Sequence, residues 1–292
     1  MSGYGGNKGL NFVKTLRINS ANRVDPLNTT DSNFTVNIIQ NNLQQVTKIS
    51  PISIQFPKNF YNVFQTKQKF NNAFALYTED SKLGPIQTTI LLTPGYYSYS
   101  DLTAAITAAV QAVNANVTLT WAYNSVTQRV SVGVTAGGTV TLVQILPLFA
   151  PYSTYGLPLT KDFDPFGLLG IDISSASLLW HVPSATVYTG IWAPSLNNPS
   201  IAYVKSSALA PQNSLDETGQ MSDVIAQIDL GSVAQGQMAT WECKQDVLCE
   251  IDYGRPRMLS MIDIQLVDHD NDPLDLQGGT LNLFFRIWMN TY

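Results

Sequence analysis

Along much of the chain, apolar and polar residues alternate with a period of two, the mark of β-strands that bury one face. Phe34, Val36 and Ile38 alternate with Thr35 and Asn37; Ile52, Ile54 and Phe56 alternate with Ser53 and Gln55, and the run closes at Pro57. Val117, Leu119, Trp121 and Tyr123 form a third set, and Val130, Val132 and Val134 follow an Asn124-Ser125 turn. Val224, Ala226, Ile228 and Leu230 form another, then Ile262, Ile264 and Leu266, and last Leu281, Leu283, Phe285, Ile287 and Met289. Many short strands punctuated by Gly, Pro and Asn predict an all-β sandwich. One segment has a different period. Ser98 and Asp101 have the spacing of a helix N-terminal capping box, and Leu102, Ile106, Val110 and Val113 then recur at helical spacing among alanines. Residues 1–15 read as a flexible arm and 16–292 as one domain. Between about 145 and 200 the periodicity fails and seven prolines interrupt the chain, which predicts a loop-rich insertion.

The composition narrows the class. Of the 292 residues only 13% are charged, about half the usual share, while 45% are hydrophobic and 10% aromatic. That excludes a wholly disordered chain, which would be charge-rich and poor in aromatics. It fits a β-protein, or one that hides surface in an assembly. The net charge of −5 is unevenly spread: residues 1–82 hold nine Lys/Arg and four Asp/Glu, the remainder seven and seventeen. No apolar leader begins the chain, and no run is long enough to span a membrane. The two cysteines, Cys243 and Cys249, lack metal-site spacing. Two thiols in a chain of this size suggest a reducing compartment, with a local disulfide left open.

Candidate chemistry is sparse. His181 lies in an apolar run and His269 in a polar turn, with no nucleophile elbow and no His-Glu-x-x-His. We therefore expect no catalytic residues and no cofactor. Asp268, Asp270 and Asp272 place carboxylates at alternate positions, as calcium loops do, but Pro273 stands where such a loop needs glycine. A solvated turn between the last two strands is the simpler reading of these residues.

Several segments, taken in order, resemble the penton (minor capsid) proteins of virophages, Polinton-like viruses and related large double-stranded DNA viruses. They are Leu16-Arg-Ile-Asn-Ser20, Asn33-Phe-Thr-Val-Asn37, and Val46 to Val63 with Pro57, Tyr61 and Asn62 at its closing turn. Next comes Leu91-Leu-Thr-Pro-Gly-Tyr-Tyr-Ser98, with Pro94, Gly95 and Tyr97 leading into the capped helix, and later Leu168-Leu-Gly-Ile171. The end resembles a final hairpin: a strand, an Asp-rich turn from Asp268, and a Leu274-Asp-Leu-Gln-Gly278 return. The likeness covers residues 16–110 and 259–289 and is weak across 145–250.

The resemblance implies a single jelly-roll sandwich that forms a homopentamer at the vertex of an icosahedral virion, beside hexons of the major capsid protein. It implies manufacture in the host cytoplasm and no catalytic residue. We expect the basic arm on the inner face, near shell proteins or the genome. The rival reading is a jelly-roll attachment module that binds a host receptor or glycan through Tyr152, Tyr155, Tyr188 and Trp192; a glycosidase is the remote third.

Overall fold

The computed structural model describes residues 11–26, 29–38, 43–64, 71–146, 164–173, 178–182, 187–196, 199–209, 223–244 and 250–290. Among these residues the protein is all-β, with sixteen strands and one long helix. The chain divides into two compact units, Met1–Phe60 with Pro199–Tyr292, and Tyr61–Asn198. Each has its own hydrophobic core. The sequence pattern predicts one domain with an insertion beginning near 145. The interruption instead begins at Tyr61, because the described residues between Val63 and Ile145 bury apolar side chains in the second core.

The first unit holds β1 (Asn11–Asn19), β2 (Asn33–Asn37) and β3 (Val46–Pro57) before the interruption. In the second unit the chain forms β4 (Ala73–Asp80), β5 (Gly84–Leu91), α1 (Tyr99–Val113), β6 (Val117–Asn124), β7 (Arg129–Ala136) and β8 (Val140–Leu146). A short helix α2 (Pro165–Leu168), β9 (Leu178–His181) and β10 (Tyr188–Thr189) complete that unit as described. Back in the first unit follow β11 (Ile201–Lys205), β12 (Val224–Asp229), β13 (Met238–Glu242), β14 (Ile251–Arg257), β15 (Met261–Val267) and β16 (Asn282–Asn290).

Two antiparallel sheets build the first unit. Sheet one has the order β1-β16-β3-β13, with β14 also paired to β3; sheet two has the order β12-β11-β15-β2. Inward positions of both sheets meet in one core: Leu16, Ile18, Ile54, Phe56, Leu283, Phe285 and Ile287 from sheet one, and Phe34, Ala202, Val204, Ile228, Ile262 and Ile264 from sheet two. The arm predicted over residues 1–15 does not include residues 11–15, which are strand. Asn11 to Asn19 pair residue for residue with Asn290 to Asn282, because burying Leu16 and Ile18 anchors the strand. Residues 1–10 lie outside the described residues. The expected C-terminal hairpin is also corrected. β15 belongs to sheet two and β16 to sheet one, so residues 268–281 cross between the sheets. Both strands turn their alternating apolar faces to the shared core, which a two-strand hairpin in one sheet would not require.

The second unit contains sheet three, order β10-β7-β6, and sheet four, order β5-β4-β8-β9. α1 starts as its sequence predicts: the Ser98 hydroxyl accepts from the Asp101 N–H and donates to the Asp101 carboxylate. Leu102, Ile106 and Val110 are buried in the core with Phe74, Phe166 and Trp180. Phe74 and Phe166 meet edge to face at 5.3 Å.

Candidate functional site

The motif residues scattered along the sequence converge in two places. In the second unit, Asn62 is buried and clamps the Pro-Gly-Tyr-Tyr segment that precedes α1. Its Oδ1 accepts from the Tyr97 N–H at 2.8 Å, and its Nδ2 donates to the carbonyls of Tyr97 (2.7 Å) and Leu196 (3.1 Å). Val63 and Gly95 exchange both backbone hydrogen bonds beside it. Asn71 extends the network by donating to the Asn62 carbonyl and accepting from the Phe64 N–H. Tyr97 also donates its hydroxyl to the Thr93 carbonyl, closing the turn around Pro94. Tyr61 stays partly exposed. This is a structural clamp that fixes the entry to α1, with the side-chain hydrogen bonds of Asn62 and Asn71 and the Tyr97 hydroxyl all made to main chain.

In the first unit, Pro57 and the end of the Leu274-Asp-Leu-Gln-Gly278 return meet. A Cβ on Gly279 would lie 2.3 Å from the Pro57 ring, so only glycine permits the approach. Leu274 and Leu276 are buried in the core, and Gly278 takes a left-handed φ of 78°.

The acidic turn is organised by one of its own members. Asp268 Oδ1 accepts from the N–H groups of Asp270 (3.0 Å) and Asp272 (2.9 Å), an Asx-type closure. The ligand atoms brought within 4.8 Å of one another belong to Asp268, His269 and Asp270, so Asp272 is not part of that group. Exposed acidic groups gathered this way suit a solvated turn as well as a weak cation contact.

The proposed outward aromatics separate. Tyr188 is half-buried and committed to the fold: its hydroxyl donates to the Leu179 carbonyl at 2.8 Å and accepts from the Leu179 N–H, and its ring meets Trp180 edge to face. Trp192 is 54% exposed and its neighbour Ile191 is 52% exposed. Their backbone is pinned, since both N–H groups donate to the Gly170 carbonyl. Tyr152 and Tyr155 lie outside the described residues. Cys243 is disulfide-bonded, the alternative the sequence left open, so the cysteines do not support the expected reducing compartment. Cys249 lies outside the described residues.

Two buried or half-buried charges are structural. Lys58 is 4% exposed and donates to the carbonyls of Leu230 (2.8 Å) and Val233 (2.9 Å); burial pushes its pKa down. Burial opposes ionisation of Asp263. Hydrogen bonds from Ala208 N–H, Ser207 N–H and the Ser206 and Ser207 hydroxyls outweigh it and hold the carboxyl below the ordinary range.

The surface that sequence reading missed is the outer face of sheet one. β16 alternates, so while Leu283, Phe285 and Ile287 point inward, Phe284, Arg286 and Trp288 face out, half-buried. Arg17 lies over the Phe284 ring at 5.5 Å and Arg286 over the Trp288 ring at 6.0 Å. Lys48 adds a third cation, tied to Glu250 (2.6 Å) and Asp252 (3.5 Å). The signal was in the sequence, in the opposite parity of the last strand.

No protein-family model matches the chain, and no curated protein matches it.

Proposed function

We propose that the chain is the penton, or minor capsid, protein of an icosahedral double-stranded DNA virus of the virophage and Polinton-like kind, a structural protein whose chemistry is assembly. The observation that carries the reading is the strand order of the first unit. Its strands pair as β1-β16-β3-β13, with β14 also on β3, and as β12-β11-β15-β2. This pairing supports the jelly-roll reading, since in such a roll the first and last strands lie side by side in one sheet and the second and next-to-last in the other. The second unit is then an insertion between the third and fourth strands of the roll. The low charge content agrees with a subunit flanked by copies of itself and by major capsid hexons, since desolvating charge is costly. In this reading the protein resides in the virion vertex after manufacture in the host cytoplasm, uses no cofactor and catalyses nothing. Its basic N-terminal segment faces shell proteins or the genome. Among the described residues no helix is long and apolar enough to cross a membrane.

Light scattering behind a sizing column tests the reading. A species of roughly 160 kDa, five copies of the 32.0 kDa chain, is expected. A trimer would turn the reading toward a receptor-binding spike.

The exposed Ile191-Trp192 pair favours a second role for the same vertex, contact with a host receptor or glycan. A glycan-array screen of the chain against Trp192→Ala tests it: signal lost in the variant is expected, and no signal from either chain removes this role.

A further inference from the structure

The outer face of sheet one has the chemistry of an interface. In register across the β1–β16 pair, Val13 faces Trp288, Thr15 faces Arg286 and Arg17 faces Phe284. Val13 is 54% exposed, and Met238 on β13 is 53% exposed. Aromatic side chains, Met and Arg are the residues enriched where protein surfaces meet, and Trp and Arg are frequent anchors of binding energy. Each guanidinium already lies over a ring within cation–π reach, so less freedom remains to be lost on association.

We propose that this face is the seam between copies: the Arg17–Phe284/Arg286–Trp288 surface of one copy docks on the acidic β15–β16 loop of the next. The inference rests on the pentameric reading and names its contact. Charge selects the occupant. Two copies meeting through the same face would oppose Arg17 to Arg17, whereas a closed ring needs two different surfaces on each subunit. The same unit supplies the second. Asp268, Asp270, Asp272 and Asp275 put four carboxylates into eight residues, and Asp270 and Asp275 are exposed. Asp268 is held in the turn, which leaves the shape of the loop fixed before association. The charge of Lys48 is met within the unit by Glu250 and Asp252. Single-stranded nucleic acid is the weaker occupant, because it needs open ring faces for stacking and a guanidinium lies over each ring.

Charge reversal on the full chain tests this. Light scattering is run on the wild type, on Arg17→Glu, on Asp270→Lys/Asp275→Lys, and on the chain carrying all three changes, with circular dichroism to verify each fold. Both partial variants are expected to fall from the oligomer to monomer at concentrations where the wild type is fully assembled. The combined chain, with both surfaces reversed, is expected to reassemble. Raising salt from 50 to about 500 mM is expected to weaken the wild-type oligomer, as screening shortens the reach of the contact. A wild-type oligomer together with partial variants that assemble unchanged overturns the seam and leaves the pentameric reading standing. So does a folded combined chain that stays monomeric. If Arg17→Glu abolishes only the retention of a single-stranded oligonucleotide, the face belongs to nucleic acid and the seam is overturned. A wild-type chain that is monomeric at every concentration overturns both. Should a charge variant misfold, Val13→Glu, at an exposed position on the same face, replaces it, with the same loss of assembly expected.

Discussion

Asn62 is the residue on which the local architecture of the second unit depends most sharply. It is 2% exposed, and its side chain makes three hydrogen bonds, all to main-chain atoms of Tyr97 and Leu196. Replacing it with alanine strands one N–H and two carbonyls beside a buried side-chain position. At roughly 1 kcal/mol net for each lost bond, the cost is about 3 kcal/mol. For a chain of this size each kcal/mol moves the midpoint by about 2–4 °C, so the melting transition of the second unit falls by roughly 6–12 °C. Differential scanning calorimetry measures it. Asn62→Asp adds a control of sign. It keeps the acceptor for the Tyr97 N–H but sets a carboxylate against two carbonyls, so its folded pKa is raised above the unfolded value of about 3.9. The folded state then binds more protons than the unfolded one, and the variant loses stability as pH rises from about 4. A midpoint for Asn62→Ala within about 2 °C of wild type, or an Asn62→Asp variant whose deficit does not grow with pH, would refute the clamp.

Other outcomes follow from single contacts. Gly170→Ala puts a Cβ 2.1 Å from the Trp192 carbonyl oxygen at a φ of +75°; urea unfolding should show a loss of at least about 3 kcal/mol, and Trp192 fluorescence should change with it. Asp263 has a depressed folded pKa, so its stabilisation is present above the unfolded value of about 3.9 and fades as pH falls through the folded one. Asp263→Asn should therefore flatten the acid limb of a melting-temperature profile. Lys58 has a lowered folded pKa, so the unfolded state binds the extra proton, and wild-type stability gains a component that rises with pH toward about 10.4. Lys58→Met should lack that slope in alkaline titrations.

The strands with one buried face were legible because a period of two survives any tertiary context that buries only that side. Phe34, Ile54 and Phe56, Val117 and Leu119, Val130 and Val132, Ile262 to Leu266 and Leu281 to Ile287 all reached a core as the pattern predicts. α1 was legible in full, cap included. β4 was not, because Ala73 to Leu76 are buried on both faces and show no alternation. β1 was legible only from Leu16 on: Lys14 falls in the segment read as an arm, yet residues 11–15 belong to the strand whose Leu16 and Ile18 are buried and whose Arg17 lies over Phe284. The boundary at Tyr61 was invisible for a related reason, since both units are built of the same short strands and no composition shift divides them. Of the candidate sites, the motif residues were found individually, but that Asn62 meets Tyr97 and Pro57 meets Gly279 depends on contacts across tens to hundreds of residues. The cationic and aromatic face was not legible because its residues, Phe284, Arg286 and Trp288, occupy the outward parity of β16, and Arg17 joins them only through strand pairing.

The proposed function requires that five copies of the chain close into a ring. Cryo-electron microscopy of the purified, assembled protein tests it most directly. Class averages with fivefold rotational symmetry are expected, with the outer face of sheet one buried between neighbours. Threefold or twofold averages, or single subunits at concentrations well above those used for sizing, would contradict it.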